Sequence, residues 1–493
     1  LASFLALAAI TQAADYYVDC NAGSGGNGGQ SSPWNAISQV NEKTFSGGDN
    51  VYFKRGCIFS SNNVNAMPIK TTSSSSSQPV IFTAYGNGNN PEIRNVSTDQ
   101  WAKGIIISGN YVVLENLKIS GAKEKGINIE GGYNTVRNCE ITDVGIDVNL
   151  LGQSNTVTKS NIHDLKMVVN TQGGDDDDYD AVAFKLGGTN NEISYNTIRN
   201  CWAPSYDYTY DGGAVEIYSS ANNARIHHNY VTNTQGFLEG GSNNHSDIIN
   251  NVTVAYNVIE NSGRVVGIHL GGSFAISINN FKFTNNTVID TKRVSTMAFY
   301  LSDDTATSSM FILRNNIFYL PGYSKFFNLN GSITHDHNLF YGITSYGYSL
   351  SSTESNTDPS FANLSDGDYH LLSSSKAIDT GITADYSSDF DGKTVPSGNA
   401  PDLGAYEFNA APNEPSPTNP VITPTNTSLS PTQTLSPTII ISPTPTPDPC
   451  RLQGDVDCSG TIDIKDFMSL ASQYQGSAIT LSIIVANFGR TLH

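Results

Sequence analysis

Short apolar runs alternate with polar turns along most of this chain, and the same unit recurs. Residues 182–186 and 215–218 alternate apolar and polar positions, the period of a half-buried strand. An acidic loop precedes each: Asp175 to Asp178 with Asp180 before the first, Asp207 and Asp211 before the second. Between them a polar turn ends in an Asn-x-apolar step at Asn196. The step returns at Asn229, Asn257, Asn286, Asn316 and Asn338, at spacings of 22 to 33 residues. Cys139 and Ser160 stand in the same slot of two earlier units, and short strands rich in Val, Ile and Phe accompany the steps. One such unit cannot bury its own apolar side. Stacking units about 4.8 Å apart pairs every strand with its neighbours and builds a continuous core. Stacked Asn amides can bond to one another at the turns. The pattern predicts an all-β chain wound as a right-handed parallel β-helix. A leucine-rich repeat would need regular Leu spacing and helical returns, and a propeller would need longer units.

Outward side chains of stacked strands form columns. Alignment on the apolar residues gives a column of Asn128, Asn149, Ala183, Glu216, Glu239, His269 and Tyr300. Glu130, Leu151, Lys185 and Tyr218 fall in the next column. A one-residue slip would turn Glu239 inward. This face collects acids, with Tyr206, Tyr208 and Tyr210 in a bordering loop, and tyrosine rings suit the apolar faces of sugars.

The two ends of the repeat region carry a resemblance. Residues 15–60 hold a Tyr-Tyr-Val strand, a Pro-Trp-x-x-Ile segment and Gly-Gly-Asp-x-Val-x-Phe-Lys-Arg-Gly. Asp358-Pro-Ser-Phe361, Lys376-Ala-Ile-Asp379, Asp389-Phe-Asp-Gly392 and Pro401-Asp-Leu-Gly-Ala-Tyr-Glu407 close the region. Together they resemble secreted β-helix proteins of the pectate-lyase-like superfamily. The resemblance implies one β-helix catalytic domain over 15–408, its open end covered by the Pro-Trp helix, acting on polysaccharide.

Two chemistries fit the face. Glu216 and Glu239 are 23 residues apart, about one coil, which would set their carboxylates near the separation of about 5–5.5 Å used by retaining glycoside hydrolases. One would be the nucleophile and the other, with a raised pKa, the acid/base; Asp211 or Asp178 could replace either. The spacing resembles that of β-helix β-xylosidases. Tyr218, His269, Tyr300, Tyr210 and Arg264 are the candidate substrate contacts, with a surface salt bridge the other reading of Arg264. The second chemistry is β-elimination on a uronic-acid polymer. Phe184-Lys185-Leu-Gly-Gly188 resembles the segment around the catalytic Lys of family 9 pectate lyases. That implies Lys185 as base and calcium held by Asp176, Asp178, Asp180 and Asp211 in the loops around 175–180. The family's Asp-Asp-Gly-Trp-Asp segment has no match here. A non-catalytic carbohydrate-binding or adhesin solenoid is a third reading.

Composition narrows the partners. The 493-residue chain has a formal net charge of -19, which disfavours nucleic acid and, more mildly and unless a bound cation intervenes, an anionic polymer substrate. Residues 1–14 are apolar with small residues at the end, like the tail of a secretory signal, and too short to span a bilayer. Secretion would permit local bridges Cys20–Cys57 and Cys450–Cys458, while Cys139 and Cys201 read as buried free thiols. Residues 409–449 are a Pro/Thr/Ser-rich linker. In 450–493, Asp455, Asp457, Ser459, Thr461, Asp463 and Asp466 take the ligand positions of an EF-hand-type calcium loop, with Gly460 at its sharp turn. Asp466 in the last position resembles a dockerin repeat, so a cohesin-type scaffold is the implied partner of a small α-helical calcium-binding module. A dockerin carries two such loops, and only one is present.

Overall fold

The computed structural model describes residues 13–408, apart from 175–176, 293–294, 383–384 and the side chains of Ser302 and Asp303. The start of the signal-like run, the linker 409–449 and the module 450–493 lie outside the described residues. Three parallel sheets of 12, 12 and 11 strands run the length of the domain. In each, the neighbour of a strand is its counterpart one coil away, which is the arrangement of a right-handed parallel β-helix. The first sheet includes Asn50–Lys54, Val80–Tyr85 and Val112–Glu115. The second includes Lys118–Ser120, Glu140–Thr142 and Val258–Glu260. The third, which carries the candidate site, runs through Lys125–Ile129, Ile146–Leu150, Val182–Leu186, Gly213–Ile217, Gly236–Gly240, Arg264–His269 and Met297–Ala306. Asp303 and Asp304 lie within the last of these, where sequence alone suggests a turn.

The recurring Asn is the corner between the first two sheets. Asn196, Asn229, Asn257, Asn286, Asn316 and Asn338 are all buried. Backbone N–H and side-chain amide of each donate to Oδ1 of the next, at 2.9–3.2 Å. Ser160 joins the same ladder, its backbone N–H donating to Asn196, and Cys139 donates to the Ser160 hydroxyl. Glu354 closes the far end by accepting from Asn338. The residue before each rung takes a left-handed conformation, for example Asn138, Tyr195, His228, Tyr256 and Asn315. A two-residue corner therefore repeats: one left-handed residue, then one amide that satisfies the buried backbone groups of the bend. A second ladder, Asn134–Asn155–Asn191, lines another corner. Asn257→Ala should lower stability by about 1–2 kcal/mol, read as a drop in the thermal midpoint, because it orphans the Asn229 donors on one side and takes a donor from Asn286 Oδ1 on the other.

The first end of the core is covered, and the C-terminal segment packs along its side. The Pro-Trp segment leads into a helix, Ile37–Glu42, whose Ile37 and Val40 are buried. A Cys20–Cys57 disulfide ties the first strand to the coil behind it. Cys139 and Cys201 are buried free thiols. Beyond the last coil the chain folds back along the second sheet. There Ala405 donates to the Thr287 hydroxyl and Gly404 to the Asn315 carbonyl. Asp389, fully buried, accepts from the backbones of Glu407 and Lys393. His227 and His228 pack against this strap, and His228 meets the Ser388 carbonyl at 3.1 Å. Among the described residues no helix is long and apolar enough to cross a membrane.

Candidate active site

Register decides which side chains share the third sheet's outer column. Asn128 pairs with Asn149, Asn149 with Lys185, Lys185 with Glu216, and Glu216 with Glu239. Glu239 then pairs with Gly267, and Gly267 with Tyr300. The two glutamates are direct neighbours on one face. Two sequence-derived positions need correction. Lys185 occupies the slot expected for Ala183, and Ala183 is fully buried. Gly267 occupies the slot expected for His269, which lies two residues on and pairs with Ser302. Both errors have one cause. Where the chain bends into a strand, the first positions point back into the core whatever their parity. Apolar residues therefore do not alternate there, and an alignment based on them slips.

Lys185 is the charge centre. Its ammonium lies 2.5 Å from Asp180 and 3.4 Å from Glu216. Burial pulls the Lys185 pKa down, but the carboxylates of Glu216 and Asp180 outweigh it and raise the value. Burial pushes Asp180 up, against the pull of Lys185. Burial also pushes Glu216 up, to about 7; Lys185 opposes this, while Asp180 and Glu239 add to it. Asp180 and Ala181 reach the site with φ of 81° and 73°, a conformation that costs non-glycine residues energy and tends to persist where function requires it. Lys185→Met should carry the Glu216 pKa above about 7, seen by NMR titration of the carboxyl, because the one cation opposing the shift is gone.

Asp211 ends a hairpin, Ala203–Ser205 with Thr209–Asp211, that borders the column. Burial lifts its pKa to about 6; the Gly212 N–H opposes this, and Glu239 and the other acids add to it. Gly212 has a φ of +125°, and a Cβ there would meet the Ala181 carbonyl oxygen at 2.5 Å, so this turn requires glycine. Glu239 is the exposed member of the set, and His269 Nε2 lies 3.2 Å from its Oε1. His269 also contacts the Tyr300 ring, at 5.8 Å between centres. Tyr218 lies beside Phe274 at 6.2 Å. Tyr210 stands edge-on to Trp202 at 5.1 Å, and the two wall a cavity of about 130 Å³ with Asn233, Gln235 and Asn261. Trp202 escaped the sequence reading because it lies in a loop with no periodicity around it.

Asp178 is drawn away from chemistry. It is buried, and its oxygens accept from the Thr171, Tyr206 and Asp207 backbones and the Ser205 hydroxyl. Burial raises its pKa, but these donors prevail and hold it low. It fastens the acidic loop to the hairpin. Asp177, Asp178 and Asp207 bring carboxylate oxygens within 4.8 Å of one another. The Asp177 and Asp178 N–H groups donate to Asp207 Oδ2, so within this cluster backbone donors already offset part of the negative charge. Asp180 faces the Lys185 ammonium instead. Asp175 and Asp176 lie outside the described residues, as do Asp455, Asp457, Ser459, Thr461, Asp463 and Asp466.

The fold and this face define a β-helix protein with carboxylates in register on one outer face. Residues 80–253 match the family model described as right handed beta helix region. The pectate lyase Pel9A shares the fold, with 15% identity, a TM-score of 0.58, and coverage of 81% of this chain and 98% of that one. XylC, solved in complex with xylose, shares it at 10% identity and a TM-score of 0.51, covering 79% and 98%. No curated protein matches the sequence.

Proposed function

We propose that this chain is a secreted carbohydrate-active enzyme that hydrolyses a glycan with retention of anomeric configuration. The observation that carries the reading is the direct register of Glu216 with Glu239. Adjacent parallel strands lie about 4.8 Å apart, which matches the short separation of a retaining pair, about 5–5.5 Å, and leaves no room for the water of an inverting one. Glu216, poised at about 7, would protonate the leaving glycosidic oxygen. The Glu239 carboxylate, held by His269, would attack the anomeric carbon to give a glycosyl-enzyme. Glu216, then ionised and steadied by Lys185, would take a proton from the water that releases the sugar. The Cys20–Cys57 disulfide supports an oxidising compartment.

Elimination keeps two observations on its side: the Lys185 segment and the fold shared with Pel9A. Against it, Lys185 is held protonated by two carboxylates, and an ammonium has no lone pair with which to take a proton. Neutral and uronic polysaccharides, followed at 235 nm and by reducing ends with and without EDTA, separate the readings. Reducing ends without absorbance, with the first-formed sugar keeping its configuration by NMR, are the expected result. Absorbance abolished by EDTA would replace hydrolysis with elimination, and silence on every glycan would favour a binding solenoid. Calcium in the 455–466 loop and a cohesin-type partner belong to the same proposal. Binding of calcium and of a cohesin by the full chain tests them.

A further inference from the structure

Arg264 opens its strand and is exposed. Its guanidinium lies 5.0 Å from the centre of the Tyr300 ring. The missing side chain of Gly267 makes the space: a Cβ there would stand 3.0 Å from Arg264 Cδ and 3.3 Å from Nη1. Gly267 sits in the column between Glu239 and Tyr300. The guanidinium therefore lies over the Gly267 position of the outer column, one coil beyond Glu239. Arg94, Arg137, Arg199, Arg225 and Arg314 each pair with a carboxylate. Arg264 has no such partner among the described residues, in a chain with 45 acidic and 26 basic residues. A planar cation fixed on a ring face and kept off every described acid is a receptor for a carboxylate that arrives from outside.

We propose that Arg264 is a specificity residue that grips the carboxylate of an acidic sugar, a uronate, one coil from the Glu216–Glu239 pair. The position relative to the cleaved bond rests on the hydrolase reading; the recognition itself does not. The Glu239 carboxylate is the next position in the column and would repel a second carboxylate placed beside the first. The favoured ligand is therefore a glycan in which acidic sugars are interspersed among neutral ones, not a polymer acidic at every unit.

The test is calorimetric binding to the full chain in a Glu216→Gln background, which needs no turnover. The probes are glucuronate-bearing xylo-oligosaccharides and oligogalacturonides, each beside its carboxyl-reduced form. We expect the glucuronate-bearing probe to bind best. Arg264→Gln should weaken it by about tenfold to a hundredfold while leaving the reduced form unchanged, and Arg264→Lys should fall between. Equal losses on charged and reduced probes, no preference for charge before substitution, or no binding of any probe would overturn the inference. A charge-selective loss in a chain that proves to be a lyase would sink the hydrolase reading and leave this one standing.

Discussion

Glu216→Gln will lower kcat by about 10²–10⁴-fold on a glycan with a poor leaving group, with the fold intact by circular dichroism. The amide fills the same space beside Lys185 but can neither give nor take the proton. On an activated aryl glycoside, whose leaving group needs no proton, the first step will suffer far less. Glu239→Ala will lose both substrates alike, and azide will restore release of a glycosyl azide of inverted configuration. The pH profile carries the sign. Glu216 must be protonated to donate, so the rate will fall as pH rises through about 7. A bond-cleaving chain indifferent to both substitutions would have its chemistry elsewhere, with Asp211 the next acid to replace.

Asp147→Ala will stabilise the domain, by about 3 kcal/mol at neutral pH, read as a rise in thermal midpoint. Asp147 is fully buried, and among the described residues neither carboxyl oxygen has a hydrogen-bond partner. It lies in register between Gly126 and Ala183, and burial pushes its pKa well up, with Asp164 adding to the shift. The folded chain must therefore keep it neutral. Below about pH 4, the usual carboxyl range, both folded and unfolded chains are protonated and the gap between wild type and variant is small. As pH rises the unfolded chain releases the proton and the folded chain does not, so the wild type loses stability and the gap widens. A gap independent of pH would mean that the carboxyl is paired or ionised in the folded state.

The same position explains what the sequence hid. Asp147 sits in Ile-Asp-Val-Asn-Leu, where alternation assigns both polar residues to solvent. Asn149 does lie in the outer column, but Asp147 enters at the bend and faces inward, as Ala183 and Ala214 do. That bend misplaced Lys185 and His269 by one step of the pleat. The asparagine corner, by contrast, was legible because its chemistry demands one residue type in one slot. Glu216 was legible because Val215 and Ile217 flank it and set the phase, whereas Glu239, between Leu238 and Gly240, was aligned on a single apolar residue. Asp178 looked like one more acid in an acidic loop. Which donors surround a carboxylate is a tertiary fact, and no local pattern encodes it.

The corner ladder has a consequence for how such a chain can change. Successive rungs stand 21 to 36 residues apart, yet the ladder is unbroken, so the extra residues leave the corner untouched. Two of the longest excursions, which carry Asp177–Asp180 and the hairpin from Ala203 to Asp211, come out beside the carboxylate face. Lineages can therefore lengthen, shorten or exchange the banks of that face while the spine keeps its pitch. An engineer could do the same, grafting a foreign excursion between two rungs to alter what the face accepts without redesigning the core.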